Sequence, residues 1–340
     1  MTDPESAPIF VVGTGRSGTT LLRMMLNAHP RIYVTHEASF YLTRAGKKAS
    51  AAEWMEYYLK SFSFAWLGLG KGEVAAELAR APGPRRAAAV RAVMRAAARR
   101  HGKERFGDKT PMHCLHLARI YEDHPDARVI HIVRDPRDAV ASLCRMPWAA
   151  SSIGLNSLFC EQQVKAVHAF AGRVHEVRLE DLLARPRDVM AAVLAFAGEE
   201  WDDAVLDHQT RGPKDDVPPF PWFAAAAGNV KKRDGLPAYR RDLSPEWIRI
   251  VESMNRLSMS KYGYERASLD REPTFSSRTR ARLADVGEAL GTWRRLFAAL
   301  RVWRGNGPLQ EQMDALLGLN PGAWKHYPGF VVPAVPLPPA

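Results

Sequence analysis

Only three cysteines occur in the 340 residues, and Cys114, Cys144 and Cys160 stand too far apart for the C-x-x-C spacing of a zinc site or a redox pair. A disulfide framework is therefore excluded as the basis of the fold, and a reducing cytoplasm is the expected setting. Acidic charge is the scarcer sign. The 37 Asp and Glu against 48 Lys and Arg leave a formal charge of +11. Such a surface attracts anions, a class that includes nucleotides, acidic carbohydrate, nucleic acid and anionic lipid. No apolar run reaches the ~18 residues of a membrane-spanning helix. The opening MTDPESAP is acidic and polar, so no secretory signal is expected there. No internal repeat is visible, which sets solenoids and propellers aside. A composition of 46% hydrophobic and 25% charged residues is that of an ordinary globular chain, long enough for one large core or two modest ones.

Five short segments read as strands: the apolar run PIFVVG, then RIYVTHE, ERFGDK, ARVIHIV and VHEVRL. Helical spacing fills the intervals, with Leu21, Leu22, Met25 and Leu26 on one face after the first strand and further helices over residues 113–123, 136–146, 157–172 and 187–197. Strands alternating with helices predict a mostly parallel sheet covered on both faces, whose ligands sit at the carboxyl ends of the strands. Residues 40–104 are mainly helical and rich in aromatics (Trp54, Tyr57, Tyr58, Phe62, Phe64 and Trp66), which predicts a helical cap packed on those rings.

The first strand runs into GTGRSGTT, residues 13–20. Gly13, Gly15 and Gly18 fit the dinucleotide fingerprint, and Gly13 with Gly18 also has the spacing of a Walker A loop. A glycine loop opening a helix gathers backbone N–H groups at the positive end of the helix dipole, so an anion is the natural ligand of either. The Walker lysine is missing, because Thr19 occupies its place and Arg16 is the sole cation in the loop. A dinucleotide-dependent oxidoreductase gains support from Glu37, 19 residues beyond Gly18, where an acidic residue would take ribose hydroxyls. Against it stands the cluster Arg16, Ser17, Thr19 and Thr20, which suits a terminal oxyanion with three oxygens to satisfy.

A second anion site is predicted in RVIHIVRDPRDAVAS, residues 128–142. Asp135 has the position of an N-cap, Pro136 that of the first helical residue, and Arg134 therefore sits at a strand's carboxyl end on the same sheet edge as the glycine loop. A salt bridge to Asp138 is the plain alternative for Arg134. Two anion sites on one edge suit a ribose phosphorylated at two places.

At these residues the sequence resembles the sulfotransferases that use 3'-phosphoadenosine 5'-phosphosulfate (PAPS). GTGRSGTTLL is similar to their 5'-phosphosulfate loop, and VRDPRDAVASL to their 3'-phosphate motif, with Arg134 and Ser142 eight residues apart. GDKTP, VRLEDLLARPRDVMAAVLAFAG and WIRIVESMNRLSMSKYGYE follow the family's order, so the resemblance covers residues 9–265. LNAHP after the loop and the glutamate-bearing second strand are most similar to the tyrosylprotein sulfotransferase branch, from which Leu179 departs where an aromatic is usual.

The resemblance implies a P-loop-like, three-layer α/β sandwich over residues 9–266, preceded by a flexible residues 1–8, and direct transfer of a sulfuryl group to a hydroxyl, with adenosine 3',5'-bisphosphate as product and no metal. Glu37 or adjacent His36 could draw off the hydroxyl proton. Neighbouring strand residues face opposite ways, so one of the two is expected in the cleft. The branch points to Glu37 as base, with Lys109 of GDKTP supporting the bridging oxygen. Arg16, Ser17, Gly18, Thr19 and Thr20 would hold the 5'-phosphosulfate. Arg134 and Ser142 would take the 3'-phosphate, with Arg178 and Lys232 as further contacts. Arg178 could instead pair with Glu180. A late basic loop with Lys231, Lys232 and Arg233 would close over the nucleotide. His113 and His116 read as structural, since no third metal ligand is evident, and His131 as a core histidine.

Residues 267–340 read as a C-terminal extension with a proline-rich end. Leu283, Val286, Leu290, Trp293, Phe297 and Leu300 recur at steps of three and four, flanked by Arg294, Arg295, Arg301 and Arg304. Docking of this face on the parent domain or in a homodimer is expected, with peripheral membrane contact through 278–304 as the alternative. No nucleic-acid partner is expected. A catalytically inactive protein that binds a surface through this helix is the non-enzymatic alternative.

Overall fold

The computed structural model describes residues 7–42, 50–81, 85–211, 220–223, 237–304 and 308–336. Its centre is a sheet of five strands: β1 (Ile9–Gly13), β2 (Ile32–His36), β3 (Arg105–Lys109), β4 (Arg128–Val133) and β5 (Val174–Arg178). The order is β2-β3-β1-β4-β5 and every pairing is parallel. All five expected strands are present, and the parallel arrangement brings Gly13, His36, Lys109, Val133 and Arg178 to one edge.

Alternation along β1 divides the core. Phe10 and Val12 face a cap formed by α2 (Ala51–Tyr58), α3 (Phe62–Leu67), α4 (Lys71–Arg80) and α5 (Arg86–Arg100), together with α6 (Leu117–Asp123). Trp54, Tyr58 and Phe64 are fully buried there, and Trp54 and Tyr58 stack at 4.5 Å, whereas Tyr57 is exposed. Ile9 and Val11 face the other layer, where α1 (Thr19–Ala28) contributes Leu22, Met25 and Leu26. This period-two split of one apolar strand is what a sheet covered on both faces requires.

Strand β2 is at the sheet's edge, and α1 blunts it. Asn27 accepts from the Val34 N–H at 2.7 Å and donates to the Val34 carbonyl at 3.1 Å, while the Arg23 Nε donates to the same carbonyl at 2.8 Å. The outward-facing main-chain groups of Val34, which could pair with another chain, are thus occupied.

Further helices are α7 (Pro136–Leu143), α8 (Ile153–His168), α9 (Leu179–Ala184), α10 (Pro186–Ala197), α11 (His208–Arg211), α12 (Tyr239–Asp242), α13 (Pro245–Met254), α14 (Arg256–Lys261), α15 (Phe275–Arg304) and α16 (Leu309–Leu317). α7 begins as expected, with Asp135 accepting from the Arg137 N–H and Pro136 in the first turn. The C-terminal residues are packed into the main body: Met313 and Leu317 are buried with Val140, Leu143 and Val251, and Phe330 and Val332 pack against the same cluster.

At the amino end of the sheet Arg105 is wholly buried, paired with Glu199 at 2.5 Å and donating to the carbonyls of Ala7 and Ala197. A buried pair loses most when one partner is removed. Replacing Arg105 with Met leaves Glu199 only the more exposed Arg31 at 3.6 Å. The expected cost is about 3 kcal/mol, read as a lowered urea midpoint. The Arg105→Met, Glu199→Leu double variant should recover most of it; equal loss in both would show that the pair's charge balance is immaterial.

Candidate active site

The glycine loop is shaped by close contacts. A Cβ on Gly13 would come within 2.3 Å of the Ile132 carbonyl oxygen, and Gly18 has φ 96° with Leu179 packed against it, so both positions demand glycine. Ser17 departs from its expected role. Its side chain is fully buried, and its hydroxyl lies 2.6 Å from the Thr14 carbonyl and 3.0 Å from that of Ile132, so its proton is committed to the main chain. Its N–H also goes to Thr14. Ser17 holds the turn, and the outward-facing donors are those of the next residues. Gly18 caps α1 without any side-chain hydrogen bond, no acidic residue occupies the first turn, and the N–H groups of Thr19 and Thr20 have no carbonyl one turn back within the helix. Thr19 is buried, while Thr20 is half-buried, with its hydroxyl 3.4 Å from the Lys109 Nζ.

Arg16 and Arg134 are in direct contact. Arg134 donates to the Arg16 carbonyl at 3.2 Å, and Arg16, held at φ 69°, turns its guanidinium to the Ser142 hydroxyl at 3.1 Å and the Trp222 carbonyl at 3.0 Å. The three residues expected at the two ends of a doubly phosphorylated ribose therefore interlock. The plain alternative for Arg134 is realised as well, since its other nitrogen lies 3.2 Å from Asp138. Arg178 stands on the same edge, over the Tyr264 ring at 4.8 Å and 3.8 Å from Asp181; the alternative pairing with Glu180 is not formed, and Glu180 accepts from the Asp135 N–H and the Tyr264 hydroxyl. Lys231, Lys232 and Arg233 lie outside the described residues.

At the other end of the loop Lys109 is fully buried and pairs with Glu37 at 2.7 Å, while the Glu37 side chain remains 41% exposed. Burial lowers the Lys109 pKa below the usual 10.5, against the opposing pull of Glu37. Of His36 and Glu37 only Glu37 is open, as expected, but strand alternation is not the reason. Glu37 lies beyond the strand's end with φ 43°, so strand alternation no longer governs it, and its carboxylate comes within 4.0 Å of the His36 Nε2. His36 is buried edge-on to Phe223 at 4.6 Å, and burial, with Lys109 and Arg23 nearby, holds its pKa well below the usual value. It is a neutral ring behind the more open carboxylate.

Two contributors escaped the sequence reading. Asp108, fully buried, accepts from the Ala38 N–H and the Thr35 hydroxyl, both at 3.0 Å, and stands 2.9 Å from the His113 Nδ1. It thereby fixes the left-handed turn that delivers Glu37. Its place beside Lys109 in GDKTP was the available signal. His113 receives the Tyr41 N–H on its other nitrogen and is structural in this sense. The second contributor is the helical segment at residues 221–223. Phe223 lies 5.6 Å from the Lys109 Nζ, and Trp222 is held by Tyr327 and Phe330 from the C-terminal segment. No local pattern signals these contacts across about a hundred residues.

Fold and site together define a parallel α/β protein that presents a glycine-loop helix terminus, a buried lysine and a carboxylate at one sheet edge. A model of the sulfotransferase family matches residues 8–203, more than half of the chain, and the chain belongs to that family. It is similar to a protein-tyrosine sulfotransferase of Drosophila melanogaster, 24% identical over 270 residues that make up 76% of this chain and 47% of the relative. It is also similar to protein-tyrosine sulfotransferase 2 of Gallus gallus, 26% identical over 223 residues, 60% of this chain and 54% of the relative. The chain thus matches about half the length of these curated relatives. Among solved structures, the sulfotransferase domain of the Synechococcus PCC 7002 olefin synthase agrees with a TM-score of 0.51 at 21% identity, covering 76% of this chain and 95% of that domain. The corresponding domain from the curacin biosynthetic pathway gives 0.51 at 17%, covering 77% and 99%. At these identities the likeness concerns the fold.

The paired charges have a titration signature. In lysine side-chain NMR, Lys109 is expected to lose its proton below pH 10.5, and in a Glu37→Gln variant lower still, because the carboxylate that favours the ammonium is gone. An unchanged Lys109 titration in the variant would remove Glu37 as its counter-ion.

Proposed function

We propose that the chain transfers a sulfuryl group from PAPS to an acceptor hydroxyl. The observation that carries this reading is the junction of two anion-holding groups with a carboxylate: the interlocked Arg16, Arg134 and Ser142 on one side of the glycine loop, and Thr20, Lys109 and Glu37 on the other. The donor set fits the nucleotide. An uncapped helix N-terminus suits a 5'-phosphosulfate, and Arg134 with Ser142 suits a 3'-phosphate. The co-substrate supplies an activated sulfur-oxygen bond; the chain's own residues orient, neutralise and remove a proton.

Arg16 now has a different emphasis. Its guanidinium lies beside Ser142 and so joins the 3'-phosphate group, while its carbonyl ties the loop to Arg134. Lys109 and Thr20 are left to meet charge that builds on the departing oxygen, a task in which a buried ammonium is effective because little water screens it. Glu37, open on the cleft side, accepts the acceptor's proton. The pairing of Glu37 with Lys109 also weighs against a dinucleotide oxidoreductase, in which that carboxylate would take ribose hydroxyls. The relatives' names make a peptide tyrosine the first acceptor to try, and the net charge of +11 favours an acidic sequence around it.

Calorimetric titration tests the nucleotide: adenosine 3',5'-bisphosphate is expected to bind and NADH not, and the reverse result would overturn the reading. Glu37→Gln should lower turnover by about 10² to 10⁴ with nucleotide affinity little changed. Loss in His36→Gln with none in Glu37→Gln would move the base to His36. Arg134→Ala should weaken nucleotide binding by roughly 10- to 100-fold, the worth of a charge-assisted contact; unaltered affinity would leave Arg134 with only its salt bridge to Asp138.

A further inference from the structure

The long helix α15 meets the domain through small and polar residues. Asp285 accepts from the Ser152 hydroxyl and from the N–H groups of Ile153 and Gly154 at the start of α8, Thr292 and Ala299 are buried, and Arg295 donates to the Leu319 carbonyl at 2.8 Å. The large apolar face is not the one that docks on the parent domain. Leu283, Val286, Leu290, Trp293 and Phe297 are between 47% and 69% exposed. At 3.6 residues per turn they fall within an arc of about 80°, and Trp293 and Phe297 lie 6.1 Å apart. Single exposed apolar side chains are ordinary, but a continuous stripe of this size marks an interaction surface.

Charge indicates what covers it. Arg280, Arg294 and Arg301 are exposed at the border of the stripe and pair with no described carboxylate. The helix's two acidic residues, Asp285 and Glu288, are placed by helical position on the other side, and Asp285 is already bound to α8. A second copy laid across the stripe would set arginines against arginines with no carboxylate between them, a repulsive arrangement. An anionic lipid surface offers hydrocarbon to the large side chains and phosphate oxygens to the guanidiniums.

We propose that the outer face of α15 docks on an anionic membrane surface, lying in the plane of the interface. No described helix is long and apolar enough to cross a membrane. The proposal rests on this helix and is independent of sulfuryl transfer.

Co-sedimentation of the full chain with vesicles tests it. Binding is expected to vesicles of phosphatidylcholine mixed with phosphatidylglycerol, to weaken as salt is raised, and to be slight with phosphatidylcholine alone. A Leu290→Ser, Trp293→Ser double variant should lose about tenfold or more in affinity. Neutralising Arg280, Arg294 and Arg301 with Gln should lose roughly fivefold per residue at low salt. Unchanged circular dichroism and unchanged affinity for adenosine 3',5'-bisphosphate would show that the variants remain folded. Equal binding to both vesicle types, or to neither, overturns the proposal. So does a concentration-dependent dimer in analytical ultracentrifugation that the double variant abolishes, because a second copy would then cover the stripe.

Discussion

Burying an ammonium at the end of a central strand is the constraint around which the site is built. Lys109 is fully enclosed, and a cation so placed is costly unless a counter-charge meets it. Glu37 provides the counter-charge only because the chain leaves β2 through a left-handed residue, and that turn persists because Asp108 accepts from the Ala38 N–H while Thr110 accepts from the Ser39 N–H at 3.0 Å. One strand end, Asp108-Lys109-Thr110, therefore supplies both the buried charge and the scaffold for its partner. The strain of a non-glycine residue at positive φ is tolerated where surrounding hydrogen bonds over-determine it.

The glycine loop follows the same economy of donors. Ser17 spends its hydroxyl and its N–H on the turn, Arg134 reaches across to the Arg16 carbonyl, and the first turn of α1 is left without a cap. An uncapped helix terminus is unfavourable in isolation. Here it stands beside Thr20 and Lys109, with no carboxylate in its first turn, so the local potential favours an incoming anion.

Much of this could be read from the chain. The central strands β1 and β4 were visible because parallel strands buried on both faces are largely apolar runs, and the two anion motifs because a glycine loop and an Asp-Pro helix start have local signatures. What escaped was orientation and distant contact. Whether Ser17 points in or out depends on a carbonyl 115 residues away, and the rule that would have separated His36 from Glu37 lapses at the first residue outside the strand. The periodicity of α15 was plain, yet its large apolar face is not the one that packs on the parent domain. Asp285 at the N-terminus of α8 and the small residues Thr292 and Ala299 fix the packing instead, and specific polar contacts of that kind leave no hydrophobic pattern.

The C-terminal segment belongs to the main body more than its composition suggested. Asn320 donates its side-chain amide to the Cys144 carbonyl and its N–H to that of Pro147, which fixes the chain beside the end of α7. Tyr327 and Phe330 then pack on Trp222, whose carbonyl receives Arg16, and the next residue, Phe223, lies against His36 and near Lys109. Aromatic packing of this kind is directional as well as apolar, so it sets the position of residues 220–223 and not merely their burial. An extension that fixes both the guanidinium on one side of the loop and the ring beside the lysine on the other is a wall of the site, and its separation from residues 9–266 is one of sequence only.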